Sequence, residues 1–135
     1  MFLSQSTRPG AFMIEREVSL AATSGTTVGI SVPAGTTVLA AGFQNFTTVP
    51  DITTYTMNIT DGTTVFASAL NFDNTAANTT RGGVTPGFIA AADTIDVVTT
   101  ISGTPGVIAG RVWAVIVDCS RGAQGADEVD RDQLA

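Results

Sequence analysis

Residues 55–69 read Tyr-Thr-Met-Asn-Ile-Thr-Asp-Gly-Thr-Thr-Val-Phe-Ala-Ser-Ala, two alternating runs on either side of a turn dipeptide. Apolar and polar side chains alternate up to Asp61-Gly62, and Val65, Ala67 and Ala69 resume the alternation after it. A period of two is typical of a half-buried strand, and Asp-Gly favours a type I′ turn, which needs positive φ at both central positions. The segment therefore predicts a β-hairpin.

Short strands separated by turns are predicted on both sides of this hairpin. In the first half of the chain they span 11–20, where a helix is the alternative, 26–32, and 36–46, with a bulge at Gly42. Thr26, Val28, Ile30 and Val32 are expected to share one face of their strand.

Three further strands are predicted in the second half of the chain. They span 88–92, where a helical turn is the alternative, 94–101 and 111–119. The last strand is apolar on both faces, so it should be central and covered on both sides, or covered by a neighbouring subunit. Seven or eight short strands without an amphipathic helix favour an all-β fold, an antiparallel β-sandwich of the jelly-roll type.

The chain divides into one domain with two terminal segments. Residues 1–10 are polar and end in Pro-Gly, which predicts a flexible N-terminal arm. Residues 11–119 are predicted to form the β-sandwich domain, with a long polar connection at 71–86. Residues 120–135 hold four acidic residues and little to bury, which predicts a disordered acidic tail.

Composition limits the partners of this protein. The formal net charge of −6 argues against nucleic acid, whose phosphates require a clustered basic face. The longest strongly apolar runs are too short to span a bilayer, and the amino terminus lacks the layout of a signal peptide, so synthesis inside the cell is expected. Only 13% of the residues are charged, which predicts that part of the surface is covered by another subunit.

The side chains offer little chemistry. Histidine and lysine are absent, so the sequence has no imidazole base, Schiff base or P-loop lysine. Cys119 is the only cysteine, which excludes an internal disulfide, and it is expected to be a small core or interface residue. Asp93 and Asp96 are three residues apart on a strand and should point to opposite faces. We expect no enzyme activity.

No cofactor or metal is expected either. The loop residues Asp73, Asn74 and Asn78 could supply oxygen ligands to calcium, but these residue types are also typical of turns, and the turn role is favoured.

Three segments carry a resemblance to a known family. They are Val32–Gly42, Ala92–Asp96 and Gly110–Asp118, which occur in this order. The chain resembles, over residues 25–119, the small head proteins of tailed bacteriophages, of the decoration or cement type. The first segment resembles a sandwich strand entered through a Pro-Ala-Gly turn, and the last resembles a closing strand with a Trp-Ala core pair.

The resemblance implies a structural virion protein that binds the outer surface of a phage capsid and stabilises the shell. The implied partners are the major capsid protein and further copies of the chain, as a homotrimer or alternatively a homodimer. The implied location is the capsid exterior, after synthesis in the host bacterial cytoplasm. Trp113 is the expected core anchor, and the candidate partner contacts are Phe2, Leu3, Arg8, Pro9 and Arg81.

One alternative function stays open at this point. Small tail-fibre or adhesin modules that bind carbohydrate or another receptor share this style of sequence. Such a module needs exposed aromatic side chains over a polar groove, for which the chain offers Trp113 and Tyr55 beyond its phenylalanines.

Overall fold

The computed structural model describes residues 10–118, which form nine strands. The strands are β1 (Phe12–Leu20), β2 (Gly25–Val32), β3 (Thr36–Asn45), β4 (Thr54–Thr60), β5 (Val65–Asn71), β6 (Thr80–Gly83), β7 (Gly87–Ile89), β8 (Asp93–Ser102) and β9 (Ile108–Asp118). Within this range no helix is long and apolar enough to cross a membrane. The predicted arm and tail lie outside the described residues, except for Gly10.

The strands form two antiparallel sheets with nested pairing. One sheet has the order β1-β9-β3-β6, with β7 also paired to β3, and the other has the order β2-β8-β4-β5. The first strand thus pairs with the last, the second with the next to last, and β4 with β5 at the centre of the chain. Because β6 and β7 continue each other along β3, the arrangement is an eight-stranded jelly roll. The predicted β-sandwich is confirmed.

The core lies between the two sheets. Inward-facing residues alternate with outward-facing ones along the strands, as a sheet with one covered face requires, except where β2, β3 and β5 shift register. Phe43 and Phe72 meet edge to face, with ring centroids 5.6 Å apart. The largest fully buried side chains are Tyr55, Phe43, Phe66, Phe72, Leu20, Met57, Ile59, Ile95, Ile108, Val38, Val49 and Val97.

The hairpin of β4 and β5 is confirmed, but its turn is not the predicted type I′. Gly62 has a φ of +96°, whereas Asp61 is not among the residues with positive φ. The Asp61 carboxylate instead accepts hydrogen bonds from the N–H groups of Thr63 at 2.8 Å and Thr64 at 2.7 Å. A four-residue turn held by an aspartate side chain replaces the two-residue turn.

Bulges lie in β2, β3 and β5, elsewhere than the sequence pattern predicts. In β5, two register shifts against β4 leave Val65 and Ala69 exposed and Ala67 buried, so the predicted alternation of these three residues is wrong. β2 shifts register between Val28 and Ile30, so Val28 is exposed while Ile30 and Val32 are buried, and the expected shared face is wrong. β3 shifts between Val38 and Ala40 and not at Gly42. A bulge adds one residue to one strand and thereby exchanges the faces of all residues beyond it.

The long connection after β5 is ordered around Asn45. The side-chain nitrogen of Asn45 donates to Thr47 O, Thr75 Oγ1 and Ala76 O, at 2.9, 3.3 and 3.0 Å. Its side-chain oxygen accepts from Thr79 N at 2.8 Å. Asn45 is fully buried, so these bonds replace its contacts with water. They fix the start of β6 beside β3.

Candidate docking surface

The outer face of the β1-β9-β3-β6 sheet is apolar over half of its length. Met13 lies beside Val115, which lies beside Ala40, and these three form one row across the sheet. In the next row Val117 lies beside Thr37, which pairs with Phe88. We call the apolar half of this face the set Met13, Leu39, Ala40, Phe88, Val115 and Val117.

Several of these side chains are strongly exposed. Met13 and Phe88 are each 58% accessible, and Leu39, the extra residue of the β3 bulge, is 36% accessible. Val115 and Val117 are half-buried. Apolar side chains that are exposed singly are normal on a protein surface, whereas these adjoin one another on one sheet face. The central strand β9 is therefore covered by the core on one face only.

The other half of this outer face is polar. Arg111 forms an ion pair with Glu15 at 2.5 Å, and its guanidinium lies 5.1 Å from the centre of the Phe46 ring. A shallow cavity of about 180 Å³ lies here, lined by Glu17, Val18, Ser19, Phe46, Ala109 and Gly110. The charges of this sheet face are thus gathered away from the apolar half.

Trp113 forms the boundary between the two halves. It was expected to anchor the core, but it lies on the outer face, half-buried, in register with Glu15 on β1 and Gly42 on β3. Val112 and Ala114 are the fully buried neighbours that face the core. A side chain built at Gly82 would come within 2.7 Å of the Trp113 ring, so the indole extends over β3 as far as β6.

The outer face of the second sheet has a different composition. Val28, Asp96 and Thr60 form one row, and Thr26, Val98 and Asn58 form another. Thr54, Thr56, Thr94 and Thr100 lie on the same face. Threonine suits a pleated surface that faces water. The protein therefore has one polar, threonine-rich outer face and one that is half apolar.

The predicted contact residues are distributed unevenly. Arg81 is exposed on β6, and its guanidinium lies 5.8 Å from the centre of the Phe72 ring, at the side of the core. Phe2, Leu3, Arg8 and Pro9 lie outside the described residues. Arg81 lies outside the apolar half, which the sequence analysis did not identify.

The residues considered for chemistry have structural roles. The Asp73 carboxylate accepts from Ile52 N at 2.8 Å, while Asn74 and Asn78 adopt positive φ, as turn residues do. Within residues 10–118 no three acidic or metal-ligating side chains cluster. Asp93 and Asp96 pair with Val32 and Val28 across the β2 bulge.

Tyr55 is removed from solvent completely. Its ring is 0% accessible, and its hydroxyl has no hydrogen-bond partner among residues 10–118. Burial raises the pKa of the Tyr55 phenol to about 12. Tyr55 is consequently unable to stack on a ligand at the surface.

Only one signal in the sequence pointed to the apolar half. The strand 111–119 is apolar on both faces, which predicted that one face is covered by more than the core. Met13 and Phe88 gave no such signal, because each lies in a short apolar run of an edge strand, in which the sequence does not show which side chain faces outward. Their proximity depends on the order of the strands in the sheet.

No family model and no curated protein matches this chain. The solved structures that match its fold include chains of two phage capsids. A chain of the cyanophage Pam1 capsid asymmetric unit is 14% identical, with a TM-score of 0.60, over 78% of this chain and 83% of that one. A chain of the acid-stable capsid of Helicobacter pylori bacteriophage KHP30 is 12% identical, with a TM-score of 0.55, over 81% and 88%. The predicted likeness to phage head proteins is confirmed in the fold.

Proposed function

We propose that this protein is a structural component of a phage virion, which binds the outer surface of the capsid and stabilises the shell without catalysing a reaction. The observation that carries the proposal is the contrast between the two outer sheet faces. One face is threonine-rich and suits water, whereas the other exposes Met13, Leu39 and Phe88. A protein built in this way gains free energy when its apolar half is covered.

The fold is consistent with this function. Each alignment with a phage capsid chain covers similar shares of this chain and of the matched chain. The matched chains are therefore close to this chain in length. A compact jelly roll of this size is a rigid unit that fills space by shape. In the proposal the partner is the major capsid protein, and the outer face of the β1-β9-β3-β6 sheet docks on it.

The size of the apolar half suits docking in many copies. The apolar half extends over four strands across the sheet and about four residues along each strand. These dimensions are about 19 by 13 Å, or about 250 Å² of flat sheet. A typical stable interface buries about 800 Å² on each partner, so this contact alone is weak. An oligomer compensates for the weakness of each contact on a symmetric shell. Once one of its copies has bound, the binding of the next copy is intramolecular. We therefore propose a homotrimer, with a homodimer as the alternative.

The proposal is tested by adding the purified protein to empty heads of the phage that encodes it, after their own copies have been removed. We expect the protein to co-sediment with the heads and to raise the temperature at which they open. Heads that bind the protein but open at the same temperature would contradict a stabilising role. Light scattering of the free protein reports its oligomeric state in the same experiment.

The carbohydrate-binding alternative has less support. Tyr55 is fully buried, which removes one of the two aromatic side chains that could have stacked on a sugar. Arg111 covers one side of the Phe46 ring beside the shallow cavity. Binding to a glycan array together with indifference to heads would establish this alternative instead.

A further inference from the structure

The open edges of the two sheets differ in regularity. β2 shifts register between Val28 and Ile30, and β5 shifts twice against β4 and holds Ala69 at positive φ. The edge beside β3 is divided into β6 and β7, of four and three residues. Bulges and very short strands hinder the addition of another strand. β1 has neither protection, because its nine residues pair with β9 without a register shift.

The first half of β1 exposes apolar side chains on both faces of the sheet. Phe12 is 41% accessible and lies on the core side, in register with the buried Ile116. Met13 is 58% accessible and lies on the outer face, in register with Val115. Ile14 follows on the core side and is half-buried. A contact on either face would cover only one of the two exposed side chains, whereas a strand added to the edge covers both.

The second half of β1 is protected by charge. It carries Glu15, Arg16 and Glu17 in succession. Arg16 Nη1 donates to Gly29 O at 3.1 Å and so crosses from β1 to the edge strand of the other sheet. Charged side chains on an edge keep further strands away. An added strand is therefore expected at residues 11–15, where the edge is apolar.

We propose that a second copy of the chain adds to this edge as an antiparallel strand, with Met13 of one copy opposite Met13 of the other. The inference goes beyond the proposed function and does not depend on it. The contact is the interface of a homodimer, and it joins two trimers if the chain is a homotrimer. Because the copies lie side by side, the outer face of each stays uncovered.

The charges of β1 disfavour the other registers. Two identical antiparallel strands pair around a twofold axis, so one residue lies opposite itself. A pairing centred on Glu15 or on Glu17 places two carboxylates opposite each other, and one centred on Arg16 does the same with two guanidinium groups. Like charges directly opposite each other destabilise a sheet. A pairing centred on Ile14 places the apolar Met13 opposite Glu15.

The register centred on Met13 avoids these conflicts. It places Phe12 opposite Ile14, and pairs of an aromatic and a β-branched side chain stabilise a sheet. Glu15 then lies opposite Ala11, at the end of the paired segment. Five residues from each copy form about four to six main-chain hydrogen bonds, depending on which residues point to the edge.

This register also enlarges the apolar surface. The row of Met13, Val115 and Ala40 continues into the same row of the second copy, so the two apolar halves meet at the axis. Together they offer about 500 Å² of flat sheet, twice the area of one copy.

Disulfide trapping tests the inference in the full-length chain. Cys119→Ser first removes the native thiol, and Met13→Cys then places a thiol at the axis, where opposite Cα atoms are about 4.5–5.5 Å apart, as a disulfide requires. Glu15→Cys is the matched control on the same face, since its two copies would lie about 14 Å apart. We expect Met13→Cys to form linked dimers at least about tenfold faster, because only this pair meets disulfide geometry. Equal rates would overturn the inference.

Light scattering gives a second, independent readout. Phe12→Lys places a charge on the edge but on the opposite side of β1 from the apolar half, so it separates edge pairing from docking. At high concentration the unmodified protein should reach twice the mass of the Phe12→Lys variant. Val28→Lys, on the bulged β2, is the control and should match the unmodified protein. Equal masses of the unmodified protein and the Phe12→Lys variant would overturn the inference.

Neither readout uses phage heads, so a failure here is distinguishable from a failure of the docking proposal. The competing occupant of the edge is an extended segment of the capsid. If the Met13→Cys protein formed no linked dimer but cross-linked to the shell of added heads, the edge would belong to that segment and not to a second copy.

Discussion

The six-membered ring of Trp113 occupies the space above Gly42, where any other residue would place its side chain. The two residues lie directly opposite each other on β9 and β3, the central pair of their sheet. The pairing lets a large aromatic side chain lie along the outer face without displacing the strands. The Trp113 ring thereby fills the space over Gly42, where the polar half of the outer face meets its apolar half.

Gly42→Ala is expected to destabilise the protein by about 1–3 kcal/mol, because the new methyl group overlaps the Trp113 ring and the Arg81 carbonyl oxygen. Chemical denaturation measures the change. Gly25→Ala is the matched control on β2, since a side chain there meets no atom within 4 Å. Equal effects of the two substitutions would show that Trp113 does not require the glycine.

Tyr55→Phe is expected to leave the free energy of unfolding unchanged or to raise it by up to about 1 kcal/mol. The Tyr55 hydroxyl is buried and has no partner among residues 10–118, so its removal relieves a desolvation cost and breaks no bond. The measurement is again denaturant unfolding. A loss of more than about 1 kcal/mol would mean that the hydroxyl is hydrogen-bonded, for example to a buried water.

The ionisation of Tyr55 is expected to be delayed in the folded protein. Burial raises the pKa of its phenol from 10.0 to about 12, and because it is the only tyrosine, tyrosinate absorbance reports this group alone. The folded state holds the proton more tightly than the unfolded chain. The contribution of this pKa shift to the free energy of unfolding is therefore complete below pH 10 and is lost as the pH rises towards 12. A titration midpoint near 10 in the folded protein would contradict the burial of the ring.

Asn45→Ala is expected to cost about 3 kcal/mol, because it removes four hydrogen bonds of a fully buried side chain, three to part-buried backbone groups and one to the buried Thr75 hydroxyl. Asn58→Ala is the control, since the Asn58 side chain accepts a single bond, from Ala69 N. Amide hydrogen exchange should accelerate at Thr79 and Thr75 in the first variant only. Slow exchange at both positions would show that the connection after β5 is held by other contacts.

Alternation of side chains was sufficient to locate most strands but not to assign their faces. The hairpin from Thr54 to Asn71 follows from the period of two in β4 and from the Asp-Gly dipeptide, whereas the alternation predicted for Val65, Ala67 and Ala69 does not hold. The faces beyond Val28 and Val38 do not follow, because a bulge leaves no mark in the pattern of a threonine- and valine-rich strand.

The orientation of β9 shows the same limit. Its residues are apolar on both faces, so period alone cannot decide which set faces the core. The fold places Val112, Ala114 and Ile116 inside. Trp113 lies outside because two glycines from other strands, Gly42 and Gly82, make room for it. Such a match between distant residues becomes visible only when the sheet order is known.

The docking role of the apolar half is tested most directly by co-sedimentation with empty phage heads. Met13→Asp combined with Phe88→Asp places two carboxylates in the apolar half, and Val28→Asp, on the equally exposed part of the threonine-rich face, is the control. We predict that the double variant binds at least about tenfold more weakly, since each unpaired carboxylate at an apolar contact costs more than about 1.4 kcal/mol. The control should bind like the unmodified protein. Undiminished binding of the double variant, or an equal loss in the control, would contradict docking through this face.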